Sequence, residues 1–332
     1  MRSAWLRVLC RLAEQGSERC EVHPGRATAS AAVTRAAAPT MAVLGGRAGA
    51  PRSLGSVLGA AVARFLPRGF QCALRAVVAP LDRVCTVQHL AVSPDGAVLY
   101  RSLWAHHVVE ARRVTDGELL HEAAHNRVRR PEQLAVARDG NVLVAEFSND
   151  RIQVMTPQLR LVTYLGVGVL HGPAGVCVVV DTDNDVAQAV VVAGERRGRM
   201  VTFAADGCVL HSWTVASDRV TCVVALPSGV AVASRRGNIH MFRVDGTFVR
   251  SVAVDDAPGS GAHSSSSTDA MAYDGDAEEL LVVTGAVFAA VDCSNNDTVR
   301  KFSQRLWGFG IAACRGTVYT CTFHTPALIA LQ

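Results

Sequence analysis

Pro131-Glu-Gln-Leu-Ala-Val-Ala-Arg-Asp-Gly140, Asn141-Val-Leu-Val-Ala-Glu146 and Asn149-Asp-Arg-Ile-Gln-Val154 decide the fold of this 332-residue chain. Each piece is a short apolar run of strand length, bounded by turn residues. Asp139-Gly140 separates the first two runs and is a hairpin signal, because glycine supplies the positive φ that tight hairpin turns need. Leu159 to Gly166 adds a fourth run. Four apolar strands joined by turns make one antiparallel sheet.

The same plan recurs along the chain. First-strand anchors fall at Leu90, Leu134, Val176, Val223, Met271 and Ile311, at spacings of 44, 42, 47, 48 and 40 residues. This is the period of a four-stranded propeller blade. The first hairpin signal returns as Asp95-Gly96, Ser228-Gly229 and Arg315-Gly316, and a second, between strands three and four, as Asp116-Gly117, Asp206-Gly207 and Asp245-Gly246. The last unit runs out after three strands, and Phe70 to Val78 offers the missing one. The expected fold is therefore all-β: a six-bladed β-propeller of four-stranded antiparallel blades, closed by an N-terminal strand that completes the last blade. No segment between strands has helical periodicity, which argues against a parallel α/β fold.

Pro131 to Val154 resembles the NHL repeat, with Glu146 where that family usually has Asp and with Asn149, Arg151 and Ile152 in place. The other units match only its hydrophobic and turn framework. No Trp-Asp dipeptide occurs, and no unit carries the double glycine that kelch blades have after the second strand. The resemblance implies a rigid platform that engages a protein or RNA partner, because NHL propellers bind such partners on a basic face. It also admits propeller hydrolases and lyases, lactonase-, esterase- or amidating-lyase-like, with a site at the mouth of the central channel.

Composition separates a leader from the propeller. The chain is 49% hydrophobic with mean hydropathy +0.22 and only 5% aromatic. Residues 1–68 carry a net charge of +7 and residues 69–332 a net charge of −3, and no acid occurs between Val22 and Leu81. Residues 1–68 read as a disordered or targeting leader rich in Ala, Arg, Gly and Ser, with 69–332 as the propeller. Met1 to Gln15 sets Trp5, Leu6, Leu9 and Leu12 near one helical face, as in organelle import signals; Met41 is an alternative start. Ten cysteines form no C-x-x-C pair and no zinc spacing, so a reducing compartment, most simply the cytoplasm, is expected. No apolar stretch reaches the ~18–20 residues of a membrane helix, and a soluble monomer is expected.

In a propeller the loops between blades share one face with the turns between strands two and three. That face collects arginines, with Arg101, Arg127 and Arg219 among them. Its candidate partner-binding residues are Arg129, Arg130, Arg151, Arg196, Arg197, Arg199, Arg235 and Arg236, with Trp104 and His107 as stacking groups. Guanidinium groups recognise phosphate and carboxylate through paired hydrogen bonds and stack on planar rings. The opposite face is rich in aspartate, a preferred turn residue.

Catalytic and metal patterns are weaker. His121-Glu-Ala-Ala-His125 matches the zincin motif, which works only on a helix, yet it falls at the fourth strand of the first blade. Asp181-Thr-Asp-Asn-Asp185 resembles the start of a calcium loop but has Val186 and Val192 where glycine and glutamate are needed. The innermost strands read apolar and small, with His89, Gln133, Asp218 and Thr221 near the channel mouth. Neither a catalytic set nor a cofactor motif follows from these residues.

Overall fold

The computed structural model describes residues 74–78, 87–124, 127–181, 188–215, 219–235, 237–254, 268–284, 288–293, 299–302, 310–321 and 328–331. The chain divides into two compact units, Met1–Ala76 and Val77–Gln332. The leader expected over 1–68 lies outside the described residues, as does Asp218.

The fold is an all-β propeller of four-stranded antiparallel blades. β1 (Leu74–Val78) precedes five blades of four consecutive strands each. Blade 1 is β2 (His89–Val92), β3 (Val98–Leu103), β4 (Val108–Arg113) and β5 (Leu119–Ala123). Blade 2 is β6 (Pro131–Val136), β7 (Val142–Glu146), β8 (Arg151–Met155) and β9 (Leu161–Leu165). Blade 3 is β10 (Pro173–Asp181), β11 (Gln188–Glu195), β12 (Arg199–Phe203) and β13 (Val209–Thr214). Blade 4 is β14 (Val220–Leu226), β15 (Gly229–Ser234), β16 (Asn238–Phe242) and β17 (Phe248–Ala253). Blade 5 is β18 (Thr268–Asp274), β19 (Glu279–Thr284), β20 (Phe288–Asp292) and β21 (Val299–Phe302). A further sheet has the order β1-β24-β23-β22, with β22 (Gly310–Cys314), β23 (Thr317–Cys321) and β24 (Leu328–Leu331).

The first-strand anchors mark the innermost strands. Leu90, Leu134, Val176, Val223, Met271 and Ile311 lie on β2, β6, β10, β14, β18 and β22, and all are buried. Period-two alternation then packs blade on blade. On β15, Val230 and Val232 join the apolar cluster shared with blade 3, while Ala231 and Ala233 join the one shared with blade 5. Similar clusters join blade 1 to blade 2 around Tyr100 and Val144, and blade 2 to blade 3 around Ile152 and Phe203.

The turns explain the acidic face. In five hairpins an aspartate carboxylate accepts the backbone N–H two residues on, capping the turn locally. The pairs are Asp95 with Ala97 (3.0 Å), Asp116 with Glu118 (3.0 Å), Asp139 with Asn141 (2.9 Å), Asp206 with Cys208 (2.9 Å) and Asp245 with Thr247 (2.7 Å). These N–H bonds hold the Asp116, Asp206 and Asp245 carboxyls below the usual range. For Asp95 the Ser93 hydroxyl does most of this. The glycine after each of these aspartates has positive φ, from +75° to +92°.

Arg101 departs from its expected place on the loop face. β3 continues to Leu103, so Arg101 lies inside the strand and is buried at 1% exposure beside Glu110, also at 1%. Its Nε donates to Glu110 Oε2 at 2.6 Å, and Arg112 Nε donates to the same oxygen at 2.7 Å. Burial pushes the Glu110 carboxyl up, but Arg101 and Arg112 outweigh it and hold it below the ordinary range. Leu161, Val162, Val167, Phe248 and Val249, on or beside the outer strands β9 and β17, are exposed. No helix among the described residues is long and apolar enough to cross a membrane.

Candidate functional site

The turns between strands two and three, and the loops entering the next blade, are joined by hydrogen bonds and so form one face. Phe147 N–H donates to Arg130 O (3.2 Å), Arg196 N–H to Gly172 O (3.1 Å) and Arg235 N–H to Arg219 O (3.0 Å). In blades 1 and 2 the turn is a short 3₁₀ segment ended by a residue in the left-handed region, His107 (φ 57°) or Asp150 (φ 53°). Each of these side chains reaches across to the incoming loop. His107 Nδ1 accepts from Arg130 N–H at 3.0 Å, and Asp150 Oδ1 accepts from Gly172 N–H at 2.7 Å. Blades 3 and 4 place Gly198 and Gly237, both at positive φ, in the corresponding turns.

Three buried glutamates organise the arginines. Glu146, at the end of β7, accepts from Arg151 Nε (2.6 Å), Asn149 Nδ2 (3.0 Å) and the Arg129 backbone N–H (2.9 Å). Glu195, at the end of β11, repeats the arrangement with Arg199 (3.1 Å) and the His171 backbone N–H (3.0 Å). Glu132, second residue of β6, pairs with Arg196 at 2.6 Å and is 4% exposed. Burial pushes the Glu132 carboxyl up, against the opposing influence of Arg196, Trp104, Arg130 and Arg219. The Trp104 indole N–H lies near Glu132 and favours its charged form, although its geometry falls short of a hydrogen bond.

The aromatic groups of this face are already stacked. Arg130 lies over Trp104 at 5.0 Å from the ring centroid, Arg196 over Phe147 at 4.4 Å and Arg151 over Tyr164 at 3.7 Å. Trp104 and His107 therefore serve the protein's own structure: the indole carries a guanidinium and the imidazole accepts a backbone N–H. With Arg151, Arg196 and Arg199 engaged by glutamates, the exposed positive charge among the described residues of this face falls to Arg127, Arg129, Arg130, Arg197, Arg219 and Arg235. Arg236 lies outside the described residues.

His89 and Gln133, expected near the channel mouth, are buried on the innermost strands β2 and β6. An innermost strand has one edge with no neighbouring strand, which leaves N–H and C=O groups to satisfy. Gln133 does this for two other blades. Its Nε2 donates to Val223 O (2.6 Å), and its Oε1 accepts from Val176 N–H (3.2 Å) and Val223 N–H (2.8 Å). His89 Nδ1 accepts from Leu134 N–H (3.4 Å), and its Nε2 is 3.9 Å from the Cys222 sulfur. Burial pushes the His89 imidazole down to about 4 and the Cys222 thiol up to about 12. Thr221 bonds Ala233 O within blade 4.

Among the described residues no three His, Cys, Asp or Glu side chains come together as a metal site. His121 lies on β5 rather than on a helix, and a strand holds residues four apart at ~13 Å, too far to chelate one zinc. His125 and residues 182–187 of the calcium-like stretch lie outside the described residues. Sequence reading missed the Glu146–Arg151 and Glu195–Arg199 pairs. Their signal was a glutamate closing strand two and an arginine opening strand three in successive blades.

The chain is thus a β-propeller of four-stranded antiparallel blades. A solved structure of a streptogramin B lyase shares the fold at a TM-score of 0.53 and 11% identity, over 76% of this chain and 95% of that one. At that identity the likeness speaks for the fold alone. No protein-family model matches the chain, and no curated protein matches it.

Proposed function

We propose that the propeller is a non-catalytic binding platform whose loop face takes an acidic protein segment. The observation that carries this reading is the division of charge on that face. Its glutamates Glu132, Glu146 and Glu195 are buried and paired, and Asp150 accepts a loop N–H, whereas Arg129, Arg130, Arg197 and Arg235 are exposed. Excess surface charge of one sign steers and orients an oppositely charged partner. An RNA strand would need stacking surfaces as well as cations, and the guanidinium groups over Trp104, Phe147 and Tyr164 favour a protein partner instead. The same reading takes the ring as six-bladed, of the NHL type and preceded by a leader over 1–68. The order β1-β24-β23-β22 and the repeat at Pro131–Val154 support the ring and repeat type.

The test is fluorescence anisotropy with a labelled glutamate-rich peptide and, in parallel, a labelled single-stranded RNA. Wild type should bind the peptide in a salt-sensitive way. Arg129→Glu/Arg197→Glu/Arg235→Glu should weaken it by about tenfold or more, since none of the three side chains supports the fold through a buried glutamate. Unchanged peptide affinity, or tight binding of RNA alone, sinks the reading. A channel-mouth hydrolase or lyase is the second reading, drawn from the neighbour's activity and from Glu132, the buried acid beside the mouth. Turnover of a lactone or aryl ester that Glu132→Gln abolishes would favour it.

A further inference from the structure

We propose that Arg130, together with Arg196, forms beside Glu132 a receptor for one carboxylate of the partner's acidic segment. This rests on the platform reading above and supplies its anchor.

The first observation is backbone conformation. Arg130 has φ 47° and precedes Pro131; Gly172, in the matching loop of the next blade, has φ 60° and precedes Pro173. Both donate their N–H to the left-handed residue of the preceding turn, so the two loops are built alike. The left-handed region suits glycine and is costly for a residue with a Cβ. A residue before proline is further disfavoured in compact helical conformations. The loop therefore works with glycine in blade 2 and carries arginine in blade 1 against its own backbone preference. Strained residues of this kind gather at ligand sites.

The second observation is how the guanidinium groups are held. Arg130 lies with its guanidinium over the Trp104 ring, and Arg196 with its own over Phe147. Stacking uses the π surface of the group and leaves its in-plane N–H donors at the edge. Arg196 directs one nitrogen, Nη2, to Glu132. Arg130 is exposed; its guanidinium lies over the Trp104 ring, while its backbone meets His107 and Phe147. The one buried carboxylate, Glu132, bonds Arg196 and also feels the charges of Arg130 and Arg219, so a second carboxylate at the Arg130 edge completes the charge balance with paired hydrogen bonds.

Arg130→Gly copies the loop of blade 2 and separates binding from folding. Its urea midpoint should equal or exceed that of wild type, while affinity for the labelled glutamate-rich peptide should fall about tenfold. Arg130→Lys keeps the charge but loses the planar fork and should recover little of the affinity. A phosphoserine peptide of matched charge should bind no better than the glutamate peptide. Arg130→Gly binding like wild type, while the Arg129/Arg197/Arg235 reversal still weakens binding, overturns the receptor and leaves the platform standing. Full recovery with lysine overturns it as well, since charge alone would then suffice. Much tighter binding of the phosphopeptide, lost in Arg130→Gly, overturns the carboxylate assignment. If the triple reversal itself has no effect, the platform reading has failed first.

Discussion

His89 should make the propeller acid-sensitive in a window set by its own burial. The imidazole is buried on β2, with Nδ1 accepting from Leu134 N–H, so the neutral ring carries its proton on Nε2, facing Cys222. Protonation would charge a buried group and set a second N–H against the one from Leu134. Burial lowers its pKa from 6.5 to about 4. Between those values the unfolded chain binds a proton that the folded one refuses, so stability rises with pH through the window and is lost as pH falls through it. The linkage relation gives a loss of about 2.5 kcal/mol between about pH 7.5 and about pH 4.5. Urea unfolding of wild type and His89→Gln at several pH values isolates this, because the other titrating groups act on both proteins and cancel in the difference. The wild-type advantage should shrink, or turn into a deficit, by that amount as pH falls. A difference that stays constant within about 0.5 kcal/mol would refute the reasoning, since one pKa unit corresponds to about 1.4 kcal/mol.

Two further perturbations test the frame. Glu110→Gln leaves Arg101 and Arg112 buried without their anion and should cost about 3–5 kcal/mol in urea unfolding; wild-type Glu110, held below the ordinary carboxyl value of 4.5, loses its share only below that value. Gly229→Ala adds a Cβ 2.1 Å from the Phe242 backbone oxygen at φ +148°, where a backbone atom and not a side chain must move. It should destabilise by about 2–4 kcal/mol, measured by thermal and urea unfolding together.

Much of the frame was readable because its signals are local. Asp139-Gly140 and its counterparts carry both halves of their turn within four residues, the side-chain acceptor and the positive φ. The anchors from Leu90 to Ile311 needed only a period. The site was harder because its partners are distant in sequence: Glu132 meets Arg196, and Arg129 meets Glu146 through its backbone. An arginine tally treats Arg151, Arg196 and Arg199 like Arg197, yet the first three are tied to glutamates and only the last is exposed. Arg101 was misplaced because β3 extends two residues beyond it, and strand ends are weakly marked when a buried arginine–glutamate pair replaces apolar residues. Trp104 looked available for stacking because its ring was legible and its cover, Arg130, was not.

Repeat architectures are ordinarily governed by nearest neighbours, each unit leaning only on the two beside it. The Gln133 side chain breaks that rule, because its bonds reach β10 in the adjacent blade and β14 in the one beyond. Loosening blade 3 alone would strip one of these partners, and loosening blade 4 would strip two. Residues 131–254 should therefore open as a single cooperative block, sharing one opening free energy, within a protein whose architecture would otherwise let it fray blade by blade.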